Sequence, residues 1–317
     1  MHGGTDSVSP ATRERVRQAI DELGYRPSRS ARTLAGLRHD ATGIVFPDLS
    51  GPYYSEVILG YEEEASRAGQ SVFILGTHGR PRAEEQVLEL ADRVDGLLVM
   101  GETVRDEVVD QIHARGLPVV LLARPRAGNA DTVCSENRAT AESLTRHLLG
   151  HGYRKLAFLG DHRASFDVDE RWRAFADTLR ATGLVPAWTV TSGFRERDGY
   201  RAARELLDGR ARPDAVVAAN DETAIGAYRV AREQGMAVPA DIAITGWDDI
   251  PLAEHVGPGL TTVRQPVREL GATAARLLLE RIRGDRTEPH HVLLPTALVV
   301  RASCGPHSEQ SEEEERR

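Results

Sequence analysis

The residues best placed to do chemistry are Tyr53, Tyr54, Arg124, Arg171, Phe194, Asn220, Asp221 and Asp248. Their types suit holding a molecule more than breaking one. Tyr53 and Tyr54 follow Gly51-Pro52 at a loop-to-helix junction, and each ring is apolar with a polar tip, fit for packing or for a half-wet ligand. Arg171 follows Asp169-Glu170; it either pairs with those carboxylates on the surface or turns its planar fork of donors on an oxygen. Phe194 stands after Gly193 in an otherwise polar loop. Asn220-Asp221 ends an apolar run and opens a helix, a place where both residue types cap well. Asp248 ends another run, and a carboxylate can accept from two donors at once. Arg124 follows Val119 to Leu122 and could serve simply to neutralise a cleft. No glycine-rich phosphate loop or nucleophile elbow stands at a credible place, so no catalytic residue and no cofactor is expected. His78, His113, His151, His162 and the His290-His291 pair lack partners at ligand spacing and read as surface positions, so no metal is expected either.

Those residues need elements to position them. From Thr42, short apolar runs alternate with amphipathic stretches. Strands are expected near Gly43–Phe46, Ser71–Leu75, Gly96–Val99 and Pro118–Leu122, with helices near Tyr54–Ala68, Arg82–Ala91 and Arg105–Arg115. The rhythm repeats with strands near Lys155–Leu159, Trp188–Val190, Ala215–Val217 and Ile242–Thr245. The helices of that half fall near Arg138–Gly150, Asp169–Arg180, Asp198–Leu207 and Thr223–Gln234. Unbroken apolar strands between helices imply parallel sheets covered on both faces. Two such halves give an α/β protein of two doubly wound lobes, with a ligand cleft at the strand ends.

Composition narrows the function classes. A net charge of −8 rules against a protein that coats nucleic acid, so any basic footprint has to be local. Part of the acidity is the run Glu309 to Glu315, read as a solvated tail over 306–317. Cys134 and Cys304 are far apart in sequence and fit free thiols in a reducing compartment. With no apolar signal core and no run of membrane-span length, a cytoplasmic protein without a membrane partner is expected.

The local basic footprint lies near the start. Ser9 is a good N-cap, Pro10 suits the first helical position and Gly24 can close the helix. Val16, Ala19, Ile20 and Leu23 share one face. Arg26, Arg29, Arg32 and Arg38 then follow with no acid between them, in a segment too short to be a stable helix alone. A basic segment that orders only against a polyanion fits a hinge on DNA phosphates.

Ser9 to Val16, Gly24-Tyr25-Arg26-Pro27 and Ser30 to Gly36 together resemble the third helix and hinge helix of the lactose-repressor (LacI/GalR) family of transcription regulators. The resemblance continues through Ile44 to Asp48 with Pro52-Tyr53-Tyr54, then Val94 to Leu97, Asn220-Asp221 with Gly226, Gly246 to Asp249 and Leu260 to Pro266. It implies a periplasmic-binding-protein-like, two-lobed domain over 41–305. Lobe 1 would cover about 41–134 and 264–292, and lobe 2 about 135–262 and 293–305, with crossings near Cys134, Thr262 and Leu293. The helix near Leu270–Ile282 would return to the first lobe. Residues 1–40 would be a remnant DNA-binding head plus hinge, the reading helix being largely missing, because the family's first two helices would lie upstream of Gly3. Arg26, Arg29, Ser30, Arg32 and Leu34 would make the hinge contacts, with Leu34 as a minor-groove wedge. The effector residues would put aromatic faces at Tyr53 and Phe194, forked donors at Arg171 and a carboxylate at Asp248 around a sugar. The implied function is a homodimeric, sugar-responsive regulator that binds operator DNA once the upstream head is restored. The alternative is a solute-binding sensor without sequence-specific DNA binding.

Overall fold

A computed structural model describes residues 9–22, 38–77, 80–125 and 128–305. Two compact units divide the chain, Met1–Asp40 and Ala41–Arg317. In the first, α1 (Pro10–Glu22) begins at Ser9, whose Oγ accepts the Thr12 amide at 3.2 Å. Val16 is 52% exposed, so the apolar face of α1 is open at that residue. The hinge residues Arg26, Arg29, Ser30, Arg32 and Leu34 and the acidic tail lie outside the described residues.

The second unit runs β1 (Ala41–Phe46), α2 (Pro52–Arg67), β2 (Ser71–Gly76), α3 (Ala83–Ala91), β3 (Leu97–Met100), α4 (Asp106–Ala114), β4 (Val119–Leu122) and β5 (Asp131–Ser135). It continues with α5 (Arg138–Gly150), β6 (Leu156–Leu159), α6 (Phe166–Ala181), β7 (Trp188–Val190), α7 (Glu196–Leu207), β8 (Ala215–Ala218), α8 (Asp221–Glu233) and β9 (Ala243–Thr245). The remainder is α9 (Pro251–His255), β10 (Thr262–Arg264), α10 (Val267–Arg283), β11 (His291–Leu294), β12 (Ala297–Val299) and a 3₁₀ turn, Ala302–Cys304.

One parallel sheet has the order β11-β5-β4-β3-β1-β2, the other β7-β6-β8-β9. Side chains alternate across each strand, so the central strands feed two cores. Ile44, Phe46, Leu98 and Leu122 pack with Val57 and Tyr61 of α2 and Leu270 and Leu278 of α10. Val45, Val99 and Leu121 face Val87 and Leu90 of α3 and Val108 and Ile112 of α4. In the second lobe Phe158 and Val217 meet Leu144 and Phe175, while Leu159 and Val216 meet Leu207 and Val230. The α2–α10 crossing is close enough to need bare backbone: a Cβ on Gly60 would sit 1.9 Å from the Arg268 carbonyl oxygen.

The chain crosses between lobes slightly later than the sequence suggested. Cys134 lies inside β5, paired with Leu293 of β11, so both residues belong to the first sheet. That strand ends before Pro295, which has no amide to donate to a ladder. β12 then pairs antiparallel with β10, and bridges from Thr261 to Thr245 and from Arg264 to Asp248 attach β10 beside the second sheet. The assignment of residues 293–294 to lobe 2 is therefore corrected. Strand order reverses around β1 in the first sheet and around β6 in the second, which opens a crevice at the carboxyl ends of both.

Candidate functional site

The site grows from Arg171, on the first turns of α6. That helix starts at Ser165, whose side chain accepts the Val168 amide. Arg171 is only 6% exposed. Its Nε donates to Asn137 Oδ1 at 2.8 Å and a terminal nitrogen donates to the Ala219 carbonyl at 2.8 Å. Its guanidinium lies 4.3 Å from the centroid of the Trp247 ring. Asn137 also donates to Asp167 at 3.0 Å, so one amide orients both a cation and an anion. Burial lowers the Arg171 pKa, and Asp167 and Asp248 work against that. Arginine nonetheless stays charged, so this is a fixed buried cation.

Asp248 lies on the bend after β9. Its backbone sits at φ +113° and that of Asp249 at φ +54°, strained conformations for residues with a Cβ. The bend is held by the Asp248 amide on the Val263 carbonyl at 2.8 Å and by Asp249, clamped between Arg264 and Arg301 at 2.7 Å each. Gln265 Nε2 donates to Asp248 Oδ1 at 2.6 Å, while buried Gln265 Oε1 has no hydrogen-bond partner among the described residues. Burial raises the Asp248 pKa to about 7, against the opposing pull of Arg171 and of the Gln265 hydrogen bond. Tyr53, from the first lobe, shares this environment. Burial raises its hydroxyl pKa, followed by the fields of Asp167 and Asp248, with Arg171 opposing them. Tyr54 packs edge-on to Phe46 and Tyr53, with centroids 5.7 and 5.6 Å away, and burial, followed by the fields of Asp48 and Asp248, pushes its hydroxyl pKa up to about 12.

Phe194 is 37% exposed, on a loop fastened at both sides. Asn220 Nδ2 donates to the Phe194 carbonyl at 2.8 Å, and Thr223 Oγ1 donates to Gly193 at 3.2 Å. The next residue, Arg195, forms an ion pair with Asp48 on the loop after β1, in the other lobe. The Leu49 and Ser50 amides also donate to Asp48, at 2.7 and 3.2 Å. Burial pushes the Asp48 pKa up, but Arg195 and those amides outweigh it and hold it below the usual value. The lobes touch again where a Cβ on Gly51 would lie 2.6 Å from Glu222 Oε2.

Three of the residues expected at the site have hydrogen-bond partners within the protein. Asp221 is fully buried; its carboxylate accepts from Thr262 Oγ1 at 2.6 Å and from the Ile250 amide at 2.9 Å, so it braces lobe 2. Asn220 caps α8, accepting the Thr223 amide at 3.0 Å, and positions Phe194 from behind. Arg124 donates to the carbonyls of Val104 at 2.9 Å and Gly101 at 3.3 Å and pairs with Asp106, which commits it to its own lobe. The sequence did not nominate Asn137, Asp167, Trp247, Gln265 or the Asp48–Arg195 pair, which the structure brings beside these residues. Their importance comes from partners far away in sequence; only Asn137, ahead of α5, carried a local signal as a capping type. Nor is His151 isolated: it stands beside His147 and Cys304. No helix among the described residues is long and apolar enough to cross a membrane.

A family described as the periplasmic binding protein-like domain matches residues 145–304. The chain is 36% identical to the HTH-type transcriptional regulator CelR of Thermobifida fusca, over 95% of this chain and 92% of that one. It is 31% identical to the ribose operon repressor of Halalkalibacterium halodurans, over 96% and 92%. Among solved structures, a CelR–cellobiose complex superposes with a TM-score of 0.77 at 33% identity, covering 95% of this chain and 93% of the other. A lac repressor dimer bound to operator and an anti-inducer gives 0.82 at 26%, covering 95% and 92%. By sequence and fold, the chain belongs to the lactose-repressor (LacI/GalR) family of transcriptional regulators.

Proposed function

We propose that this regulator takes a sugar between its two lobes, and that the sugar sets its affinity for operator DNA. One observation carries the reading. Between the strand ends of both lobes, a buried cation and a carboxylate, Arg171 and Asp248, lie beside the ring of Tyr53 and an amide oxygen of Gln265 that has no hydrogen-bond partner among the described residues. A ring with several hydroxyls satisfies donors, acceptors and an apolar face together. The solved CelR relative holds cellobiose, and a LacI-family regulator from Enterococcus faecium, 28% identical, holds ribose; both favour a sugar. The sugar acts only if the open and closed arrangements bind it differently, and the Asp48–Arg195 contact across the cleft is one that opening would break.

The working unit is a homodimer. β2 is an edge strand of the first sheet, with Phe73 and Ile74 41% and 46% exposed, an apolar edge suited to a second copy. DNA contact falls to the hinge residues Arg26, Arg29, Ser30, Arg32 and Leu34, on the strength of their sequence alone. Calorimetric titration with mono- and disaccharides, and with nucleobases as the competing class, is the test. Saturable binding of one sugar, lost in Asp248→Ala while light scattering still reports a folded dimer, is the expected result. Binding of a nucleobase and of no sugar would overturn it.

A further inference from the structure

A second constellation lies at the far end of α5. His147 and His151 are four residues apart on the last turn and C-cap of that helix, so their rings share one face. The rings stand edge to face with centroids 4.9 Å apart. Cys304, from the 3₁₀ turn Ala302–Cys304, brings its thiol to the same place: Sγ lies 3.4 Å from His147 Nε2. One ligand atom from each residue, two imidazole nitrogens and the sulfur, fall within 4.8 Å of one another.

We propose that His147, His151 and Cys304 form a binding site for a divalent ion of the zinc class, which staples the C-terminal turn to α5. Three observations support it. First, one thiolate and two imidazoles make a borderline-soft donor set that favours zinc over magnesium or calcium, whose ligands are oxygens. Second, the spacing is already close. Tetrahedral bonds of about 2.0–2.1 Å to nitrogen and 2.3 Å to sulfur place N and S about 3.6 Å apart, and the observed separation is 3.4 Å. Third, the helix presents its C-terminal, partly negative end to the ion.

The surroundings hold the donors in place. Cys304 is fully buried. Its carbonyl accepts the Tyr153 hydroxyl at 3.0 Å, and Thr261 Oγ1 lies 3.1 Å from its sulfur. Its neighbour Ser303 donates to the Ile244 carbonyl at 2.6 Å and accepts the Thr261 amide at 2.8 Å. An ion here would therefore tie α5 to β9 and to the segment entering β10. Uptake releases the thiol proton to solvent and leaves a thiolate on the metal, with no change in oxidation state. The site is distinct from the cleft: Asn137 serves the cleft at the start of α5, and ten residues of helix separate it from His147 by about 15 Å.

The test uses the full chain, stripped with a chelator and titrated with Co²⁺ alone. Uptake of one equivalent with a near-ultraviolet thiolate-to-cobalt absorption is expected, absent in Cys304→Ser and kept in Cys134→Ser. Zn²⁺ should displace the cobalt and raise the melting temperature of the wild type. His147→Ala and His151→Ala, whose residues lie outside the buried core, should each bind Co²⁺ at least about tenfold more weakly, since even lesser second-shell changes cost that much. A wild type without the absorption, or one that persists in Cys304→Ser or in both histidine variants, overturns the proposal.

Discussion

At the scale of single residues, Asp248 makes the sharpest prediction. Its pKa is raised to about 7 by burial, which outweighs Arg171 and Gln265, whereas in the unfolded chain it returns to the ordinary 3.8. A raised acid binds more protons folded than unfolded between those two values. The empty protein should therefore lose stability as pH climbs from about 4 to about 7, and level off above, with a slope of at most about 1.4 kcal/mol per pH unit from this group. Denaturant titrations across that range should show Asp248→Asn with the slope reduced. Effector binding runs the opposite way. Sugar hydroxyls need the ionised carboxylate as a double acceptor, so affinity should rise through pH 7 in the wild type and stay flat and weak in the variant. An unchanged pH profile of binding in Asp248→Asn would remove this carboxylate from the site. Asp248 and Arg171 could be nominated from the sequence because strand ends and helix starts are where this architecture meets ligands. Asp221 looks identical by that criterion. Only the distant Thr262 and Ile250 reveal that its carboxylate is already satisfied.

At the scale of elements, glycine positions separate close packing from simple chain ends. Gly60→Ala drives a methyl to 1.9 Å from the Arg268 carbonyl, so α2 and α10 must part; a loss of about 1–3 kcal/mol is expected. Gly150→Ala, on the last turn of α5 with nothing within 4 Å of its Cβ, should instead gain up to about 1 kcal/mol from helix propensity. Thermal melts of the two variants moving in the same direction would mean the helix crossing is not what constrains Gly60. The buried carboxylate of Asp131 offers a second check. It holds Arg286 at 2.7 and 3.1 Å and takes the His290 amide at 2.5 Å, tying β5 to the loop that enters β11. Asp131→Ala removes a fully buried acceptor from half-buried Arg286, which keeps Glu280 and the Leu277 carbonyl, and should cost about 1–3 kcal/mol by denaturant titration; no measurable loss would mean the pair adds nothing. The longer elements were readable from sequence to within a few residues, as with Ser71–Gly76 and Arg138–Gly150, because unbroken apolar runs and capping residues mark them locally. β10 and β12 were not. Three residues hold no periodicity, and their pairing joins segments more than thirty residues apart. The same limit shifted the lobe crossings by two or three residues.

At the scale of the whole two-lobed unit, the Asp48–Arg195 pair decides how the lobes meet without touching the site's own donors. Asp48 follows β1 in one lobe, and Arg195 precedes α7 in the other, directly after Phe194. Both side chains are partly exposed, at 28% and 35% relative accessibility, so the pair is screened and its energy is modest. Its effect is to bias an equilibrium between open and closed arrangements. Arg195→Ala should move the empty protein toward the open form and weaken the effector by about two- to fivefold, because binding must then supply the closure. Asp48→Ala should do the same, and the double variant should fall no further than either single one. Small-angle scattering should show a larger radius for the empty variants that returns to the wild-type value at saturating effector. Raising salt should weaken the wild type toward the variants and leave the variants unmoved. Acid should act likewise: Asp48 has a lowered pKa, so the contact stands above the ordinary 3.8 and is lost only as pH falls through the lower folded value. If the single variants bind the effector as tightly as wild type at low salt, the lobes are held together by other contacts, with Gly51 against Glu222 the first to examine.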